Sequence, residues 1–404
     1  MKNYKVTKAC EVCGNKNLEE VLNLGEHPLC DDLIAIGSKR ENIKYPIKVS
    51  FCNECFTAHQ MFQVDKSSLF PKTYHYRARF TKDVINGMED LKDSIVKEKV
   101  KLTNKVVLDI GCNDGSLLDI FRREGAVTLG IEPTNAGKEA AKKGHDIFNS
   151  FFDEETVKKI NSKYSEIDFI TFTNVFAHID NLPLMLSNLK NLMNKNTMLI
   201  IENHYLGSIL EKNQFDTFYH EHPRTYSLKS FIKISKSLNL SITKFEFPKR
   251  YGGNIRVFME KNNLIKNSEN AIKISKRENL FRKDFIKMEL FLKKWKKNKK
   301  TEILKIVREI GPIPAKAFPG RAAILIKFLD LNENHISAVY ERSGSQKIGN
   351  YVPGTRIPIL DESEFFEYRL DSKAIINLAW HISNEIRMFL INKGYKGKII
   401  NILD

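Results

Sequence analysis

The sequence predicts an α/β protein with two doubly wound units behind a small metal-stapled N-terminal segment. Three observations carry this. Two Cys-x-x-Cys pairs fall within the first sixty residues, a short apolar strand runs into a glycine turn and a helix near residue 110, and a second strand–turn–helix series begins near residue 315. The length of 404 residues suits two or three domains. A composition of 42% hydrophobic and 28% charged residues is that of a globular chain. No apolar run is long enough to span a bilayer, and Met1-Lys2-Asn3-Tyr4-Lys5-Val6 lacks the apolar core of a signal peptide, so a cytoplasmic protein is expected.

The formal net charge is +16, from 65 Lys and Arg against 49 Asp and Glu. That balance suits a nucleic acid, a membrane surface or a phosphate-bearing substrate. The densest run, Lys293-Lys294-Trp295-Lys296-Lys297-Asn298-Lys299-Lys300, lies in a helix-like stretch from about Asn267 to Ile310. A solvated helix face explains it without nucleic acid.

Cys10-Glu11-Val12-Cys13 and Cys52-Asn53-Glu54-Cys55 each clamp one edge of a metal, and together Cys10, Cys13, Cys52 and Cys55 complete a tetrahedral thiolate shell. Four thiolates leave no open position, so the zinc expected here is a structural staple for a segment too small to fold on its own core. Cys30 is a possible spare ligand. Next, Tyr74-His75-Tyr76-Arg77-Ala78-Arg79 precedes an amphipathic helical pattern from about Thr81 to Lys99. This loop is either a face for a phosphorylated ligand or an aromatic hinge.

Val106-Val107-Leu108 then leads into Asp109-Ile110-Gly111-Cys112-Asn113-Asp114-Gly115 and a helix from Ser116. The turn frees backbone N–H groups to approach a ligand. About twenty residues on, a second strand ends at Glu132-Pro133, where an acid is placed to bind ribose hydroxyls. The pair resembles motifs I and II of class I S-adenosylmethionine methyltransferases, with Asp109 available to the methionine ammonium. Phe169–Thr173 reads as a parallel strand entering a loop with Asn174 and His178, and 197–203 reads as a further strand ending at Asn203. Ligands in open α/β sheets bind beyond the strand C-termini.

Tyr219-His220-Glu221-His222 follows on the rim of the same sheet. Four proton-handling groups side by side point to catalysis, although two His and a Glu also suit a metal, and a polar turn is the plain alternative. Tyr251-Gly252-Gly253-Asn254-Ile255-Arg256 offers Arg256 to a phosphate, or is an ordinary hairpin. In the C-terminal part, Pro319-Gly320-Arg321 is a turn between strand and helix, His335–Glu341 and Ala374–His381 read as strands, and the loop Tyr351–Ile359 carries Arg356.

In order, CxxC…CxxC, DIGCNDG, NVFAHI, FDTFYHEH, GGNIRV, PGR and YVPGTRIPI…LAWHISNEI resemble the C-methyltransferases of nucleotide-linked 4-keto deoxysugars over nearly the whole chain. The resemblance implies a zinc-binding domain at 1–65, a class I (Rossmann-like) methyltransferase domain at 66–265, a basic helical connector at 266–310 and a second, Rossmann-like sugar-nucleotide domain at 311–404. It implies Asp109, Gly111, Asn113, Gly115, Glu132, Pro133 and Asn174 for S-adenosylmethionine, and Tyr219, Glu221 and His222 for catalysis, with Tyr76 and His178 in support. Tyr74, Asn203, Arg224, Arg256, Arg321 and Arg356 are the candidate substrate ligands. The sequence departs from the family at Arg77-Ala78-Arg79 and Pro223-Arg224-Thr225, which leaves the sugar open.

The chemistry expected is removal of the proton beside a ketone, followed by methylation of that carbon. His222 is the expected base, because a neutral imidazole titrates near neutrality. Its choice over His220 rests on the resemblance. Glu221 is expected to orient an imidazole or hold a sugar hydroxyl, and Tyr219 and Tyr76 to donate to the developing oxyanion. The expected partner is a nucleotide-linked sugar, without membrane or nucleic acid, and the chain is expected to be a monomer or weak homodimer. Two other readings stand beside this one. One is an O- or N-methyltransferase of a nucleotide sugar, and the other is a zinc-ribbon RNA-binding protein or RNA methyltransferase.

Overall fold

The computed structural model describes residues 4–72, 74, 76–97, 101–261 and 269–403. His75, the end of the helical pattern at 98–99 and residues 266–268 of the connector lie outside the described residues.

The N-terminal segment is a small antiparallel sheet of Leu18–Pro28, Lys44–Cys52 and Ala58–Gln60. Its fourth strand, Arg224–Thr225, arrives from the middle of the chain and pairs with Ala58–His59. The segment directly after Tyr219–His222 is therefore part of the cysteine-bearing module.

The central sheet has seven strands: β1 (Val106–Ile110), β2 (Val127–Ile131), β3 (Asp146–Phe148), β4 (Phe169–Thr173), β5 (Met198–His204), β6 (Ser241–Glu246) and β7 (Asn254–Glu260). Their order is β3-β2-β1-β4-β5-β7-β6, and β7 runs antiparallel to both its neighbours. This is the strand order of the class I methyltransferase fold. Helices on both faces bury the strands, which is why β1, β2 and β4 read as nearly continuous apolar runs rather than alternating ones. The order reverses between β1 and β4, and that switch point opens the crevice in which ligands of such sheets bind.

The predicted connector is two helices, not one. Glu269–Glu278 ends at Asn279-Leu280, and Phe281–Ile310 continues. The break lets buried Glu278 turn back on the methyltransferase sheet, where Oε1 accepts from Leu228 N (2.6 Å) and Tyr205 Oη (3.0 Å). The long helix then runs past all three units. Phe285 meets Phe51 (5.5 Å) and Phe218 (6.0 Å), and Trp295 Nε1 donates to Ile402 O (3.1 Å). Lys293 pairs with Glu289 and Lys296 and Lys300 with Asp330, while Trp295 and Lys299 are buried on the inner face. Apart from those two residues, the run is a solvated helix face.

The C-terminal sheet is β8 (Ile313–Lys316), β9 (Ile336–Glu341), β10 (Ile359–Asp361), β11 (Ala374–Asn377) and β12 (Lys398–Asn401). All its strands are parallel, in the order β10-β9-β8-β11-β12. It too has a switch point, between β8 and β11. Among the described residues no helix is long and apolar enough to cross a membrane.

Candidate active site between two sheets

The strand C-termini of both sheets line one cavity of about 800 Å³. At the methyl-donor end, Asp109, Gly111, Asn113, Glu132, Pro133 and Asn174 all line it. Gly111 has φ +75°, and a Cβ there would lie 2.5 Å from Val175 Cγ2, so only glycine lets the turn pass the neighbouring loop. Asp109 accepts from Thr171 Oγ1 (2.7 Å), while burial and the nearby Glu132 push its carboxyl up to about 7. A carboxyl in that state fits a cationic ligand, whose charge would draw it back to the ionised form. Glu132 is oriented by N–H groups of Asn113 (3.1 Å) and Thr134 (2.9 Å). These groups suit the ammonium and ribose of S-adenosylmethionine.

Asn113 also does work that its position in the turn conceals. Its amide donates to Tyr76 O (3.1 Å) and accepts from Ala78 N (3.0 Å), strapping the 76–80 segment over the turn. Arg77 and Arg79 complete the strap, Arg77 on Glu139 (2.8 Å) and Arg79 on Asp114 (3.1 Å) and Glu139 (2.5 Å). Both arginines latch the segment to the turn and the helix behind it. Gly115 does not line the cavity. A Cβ there would fall 2.9 Å from Ala140 Cβ, so this glycine serves helix–helix approach.

At the other end stand Tyr74, Tyr76, His178, Tyr219, Glu221, His222 and Arg321, all lining the same cavity. His222 Nδ1 lies 3.0 Å from Thr217 O. A carbonyl only accepts, so Nδ1 carries the proton and Nε2 holds the lone pair. Burial, then the neighbouring His178 and His204, hold His222 well below its ordinary value, so it is neutral at physiological pH. His178 is oriented in the same way, Nδ1 donating to Glu221 O (2.7 Å). The three imidazoles form a ladder, with ring centres 5.0 Å apart for His178–His222 and 5.1 Å for His204–His222.

His220 faces the other way. Its Nε2 donates to Tyr45 O (3.1 Å) in the cysteine-bearing module, and it does not line the cavity. The Glu221 side chain does not orient an imidazole either. Tyr74 Oη donates to it (3.3 Å), and burial with the nearby Asp31 carboxylate raises it well above the usual carboxyl range. It faces the cavity. Burial raises the Tyr74, Tyr76 and Tyr219 phenols as well, so all three keep their protons.

Four candidate substrate residues do not reach the cavity. Arg224 is fully buried, paired with Glu11 and bonded to Tyr226 Oη (3.0 Å), because its strand belongs to the metal module. Arg256 is fully buried against Glu202 (2.7 Å), Glu246 (2.9 Å) and Asp90 (3.0 Å). Arg356 donates to the carbonyls of Ser38 (2.8 Å) and Arg40 (3.1 Å), tying the C-terminal unit to the N-terminal one. Asn203 is buried off the cavity, and the lining residue is its neighbour His204, which ends β5. Side chains alternate along a strand, so an error of one residue moves the site to the opposite face.

Sequence reasoning also missed Tyr251, whose Oη lies 3.1 Å from that of Tyr76, and Arg342 and Lys347 beyond β9. The rule that ligands sit beyond strand C-termini, applied to the second sheet, would have found the latter two. Cys30 lines the cavity and is no zinc ligand. The Cys10, Cys13, Cys52 and Cys55 sulfurs lie within 4.8 Å of one another, the spacing of a tetrahedral zinc thiolate. His59 Nε2 (3.3 Å from Cys10 Sγ) and Thr57 Oγ1 (3.1 Å from Cys55 Sγ) surround them.

Comparison with known proteins agrees with this layout. Residues 10–70 match a family model described as "Putative zinc binding domain", residues 76–244 a methyltransferase domain, and residues 249–398 the C-methyltransferase C-terminal domain. The C-methyltransferase NovU of Streptomyces niveus is 28% identical over 254 residues, which is 62% of this chain and 60% of that protein's length. Solved structures that align include magnesium protoporphyrin IX methyltransferase of Synechocystis with bound SAM (15% identity, 45% of this chain, 80% of that chain, TM-score 0.35). A SAM-dependent methyltransferase of Archaeoglobus fulgidus also aligns (15%, 43%, 94%, TM-score 0.34). The strand order, rather than these superpositions, carries the fold. The chain thus matches, in order, the models of a zinc-binding domain, a methyltransferase domain and a C-methyltransferase C-terminal domain.

Proposed function

We propose that the chain is an S-adenosylmethionine-dependent C-methyltransferase acting on a nucleotide-linked keto (deoxy)sugar. The observation that carries this reading is the convergence in one cavity of the carboxylates Asp109 and Glu132 and the neutral imidazole of His222. S-adenosylmethionine supplies an electrophilic methyl group when bound. His222 Nε2 removes the proton beside the substrate ketone, and Nδ1–H on Thr217 O disperses the resulting imidazolium charge. A base so placed contributes about 10²- to 10⁴-fold.

The developing oxyanion needs donors that stay protonated at neutral pH. The phenols of Tyr219 and Tyr76 meet that requirement. Arg342 and Lys347 support the nucleotide part of the reading. They lie at the C-terminal edge of the second parallel sheet, on the same cavity, where phosphates gain both cations and backbone N–H groups.

The test is mass spectrometry of products from a panel of nucleotide-linked keto sugars and their reduced counterparts, incubated with S-adenosylmethionine. A keto substrate gaining one methyl on carbon is the expected result. Methylation only of the reduced sugars, on oxygen, would overturn it.

A further inference from the structure

The Phe215-Asp216-Thr217-Phe218 stretch has only one turn of 3₁₀ helix, yet Asp216 and Thr217 are fully buried. The C-terminal domain holds it. Phe215 packs between Trp295 (5.1 Å) and Phe328 (5.5 Å). Asp216 Oδ2 accepts from Trp380 Nε1 (2.9 Å) and lies 3.4 Å from Arg321 Nε, and the guanidinium sits 4.8 Å over the Trp380 ring. Arg321 Nη1 also donates to Thr217 Oγ1 (3.1 Å). Thr217 O is the acceptor that fixes His222. A chain of direct contacts thus runs from the loops after β8 and β11 of the second sheet to the imidazole in the cavity of the first.

We propose that Trp380 and Arg321 are positioning residues, which act through Asp216 and Thr217 to present His222 Nε2 to the substrate. The inference rests on His222 being the base. Arg321 lines the cavity and so also faces substrate, whereas Trp380 does not line it. Trp380 is therefore the clean probe. Without its N–H, Asp216 loses its shortest hydrogen bond, the turn that carries Thr217 is left to Arg321 and its own backbone bonds, and the hold on the His222 tautomer loosens. Loss of the correct tautomer costs up to about 10⁴-fold in a triad-type base. The groups facing His222 are His178, His204, Tyr219 and Arg321, and Trp380→Phe leaves all of them in place.

The experiment compares the full-length wild type with Trp380→Phe, Thr217→Val and His222→Asn. It reads kcat and KM for the keto-sugar substrate, S-adenosylmethionine affinity by calorimetry, and the histidine tautomers by ¹⁵N NMR, with the His222 signal assigned from its absence in His222→Asn. Trp380→Phe is expected to lower kcat about tenfold or more, within the range of a lost general base. KM and cofactor affinity should stay near wild type, and the His222 Nδ1–H signal should weaken. Thr217→Val keeps the carbonyl but loses the Arg321 contact, so a smaller fall is expected. Wild-type kcat and tautomer in both variants would overturn the clamp, as would a parallel loss of cofactor affinity in Trp380→Phe. Normal turnover in His222→Asn would instead remove the underlying base assignment, which keeps the two failures distinct.

Discussion

Glu202 shows how much of this site is held by residues that touch no ligand. It is fully buried on β5, and its carboxylate takes Arg250 (2.5 Å), Arg256 (2.7 Å) and Asn254 Nδ2 (2.9 Å). Asn254 in turn donates to Asn174 Oδ1 (3.1 Å) at the methyl-donor end of the cavity. Burial alone would raise Glu202, but the two guanidiniums hold it below the usual carboxyl range. Breaking one partner of such a buried pair costs about 3–5 kcal/mol, because the other charge is left uncompensated. Glu202→Gln is accordingly expected to unfold at clearly lower denaturant concentration; an unchanged midpoint would mean that the network holds nothing. The same burial explains why arginines were misjudged from sequence. Arg224 and Arg256 have the residue type of a phosphate ligand, but only tertiary packing reveals that Glu11 and Glu202 already pair with them. By contrast, the places of Asp109 and Glu132 were legible, because strand ends and a glycine turn fix them in the fold, whereas His222 was singled out over His220 by the family resemblance alone.

At the scale of elements, the cysteine-bearing module and the proton-handling loop form one structure. Gln60 N donates to Pro223 O (2.8 Å), His220 to Tyr45 O (3.1 Å), and the Ser227 and Ser230 hydroxyls to Cys55 O (3.3 and 3.2 Å). The metal site closes on the carbonyl side of the same knuckle. Its stabilising effect therefore reaches the loop that carries His222, with no chemistry required of the metal. One zinc per chain is expected by elemental analysis. Stripping it, or replacing Cys10 and Cys13 by Ser, should lower both thermal stability and methyl transfer; full transfer in a zinc-free chain would contradict the coupling. The CxxC spacing made the metal site readable in advance. The pairing of Arg224–Thr225 with Ala58–His59 was not readable, since a two-residue strand has no periodicity and its partner is remote in sequence. The break at Asn279-Leu280 was hidden for a related reason, because charged residues on both sides continue a plausible helical pattern.

Across the whole molecule, the parallel strands of two sheets turn their C-termini toward one cavity, and the helix Phe281–Ile310 runs beside both. Alternation of strands and helices made both sheets legible, but not their facing arrangement, which depends on the Phe215–Phe218 stretch and on Arg356 bridging to the N-terminal module. That arrangement brings the end lined by Asp109 and Glu132 together with the end lined by His178 and His222. The most direct test is solvent-deuterium exchange at the carbon beside the ketone, followed by NMR on a bound keto-sugar nucleotide with S-adenosylhomocysteine in place of the methyl donor. Wild type is expected to exchange well above the spontaneous rate. Because His222 is held below its ordinary value, it stays neutral as the pH falls, and exchange should persist to below about pH 6.5 before protonation stops it. His222→Asn should drop to the spontaneous rate. Exchange at the wild-type rate in His222→Asn, or none above the spontaneous rate in a wild type that methylates the same substrate, would contradict the account.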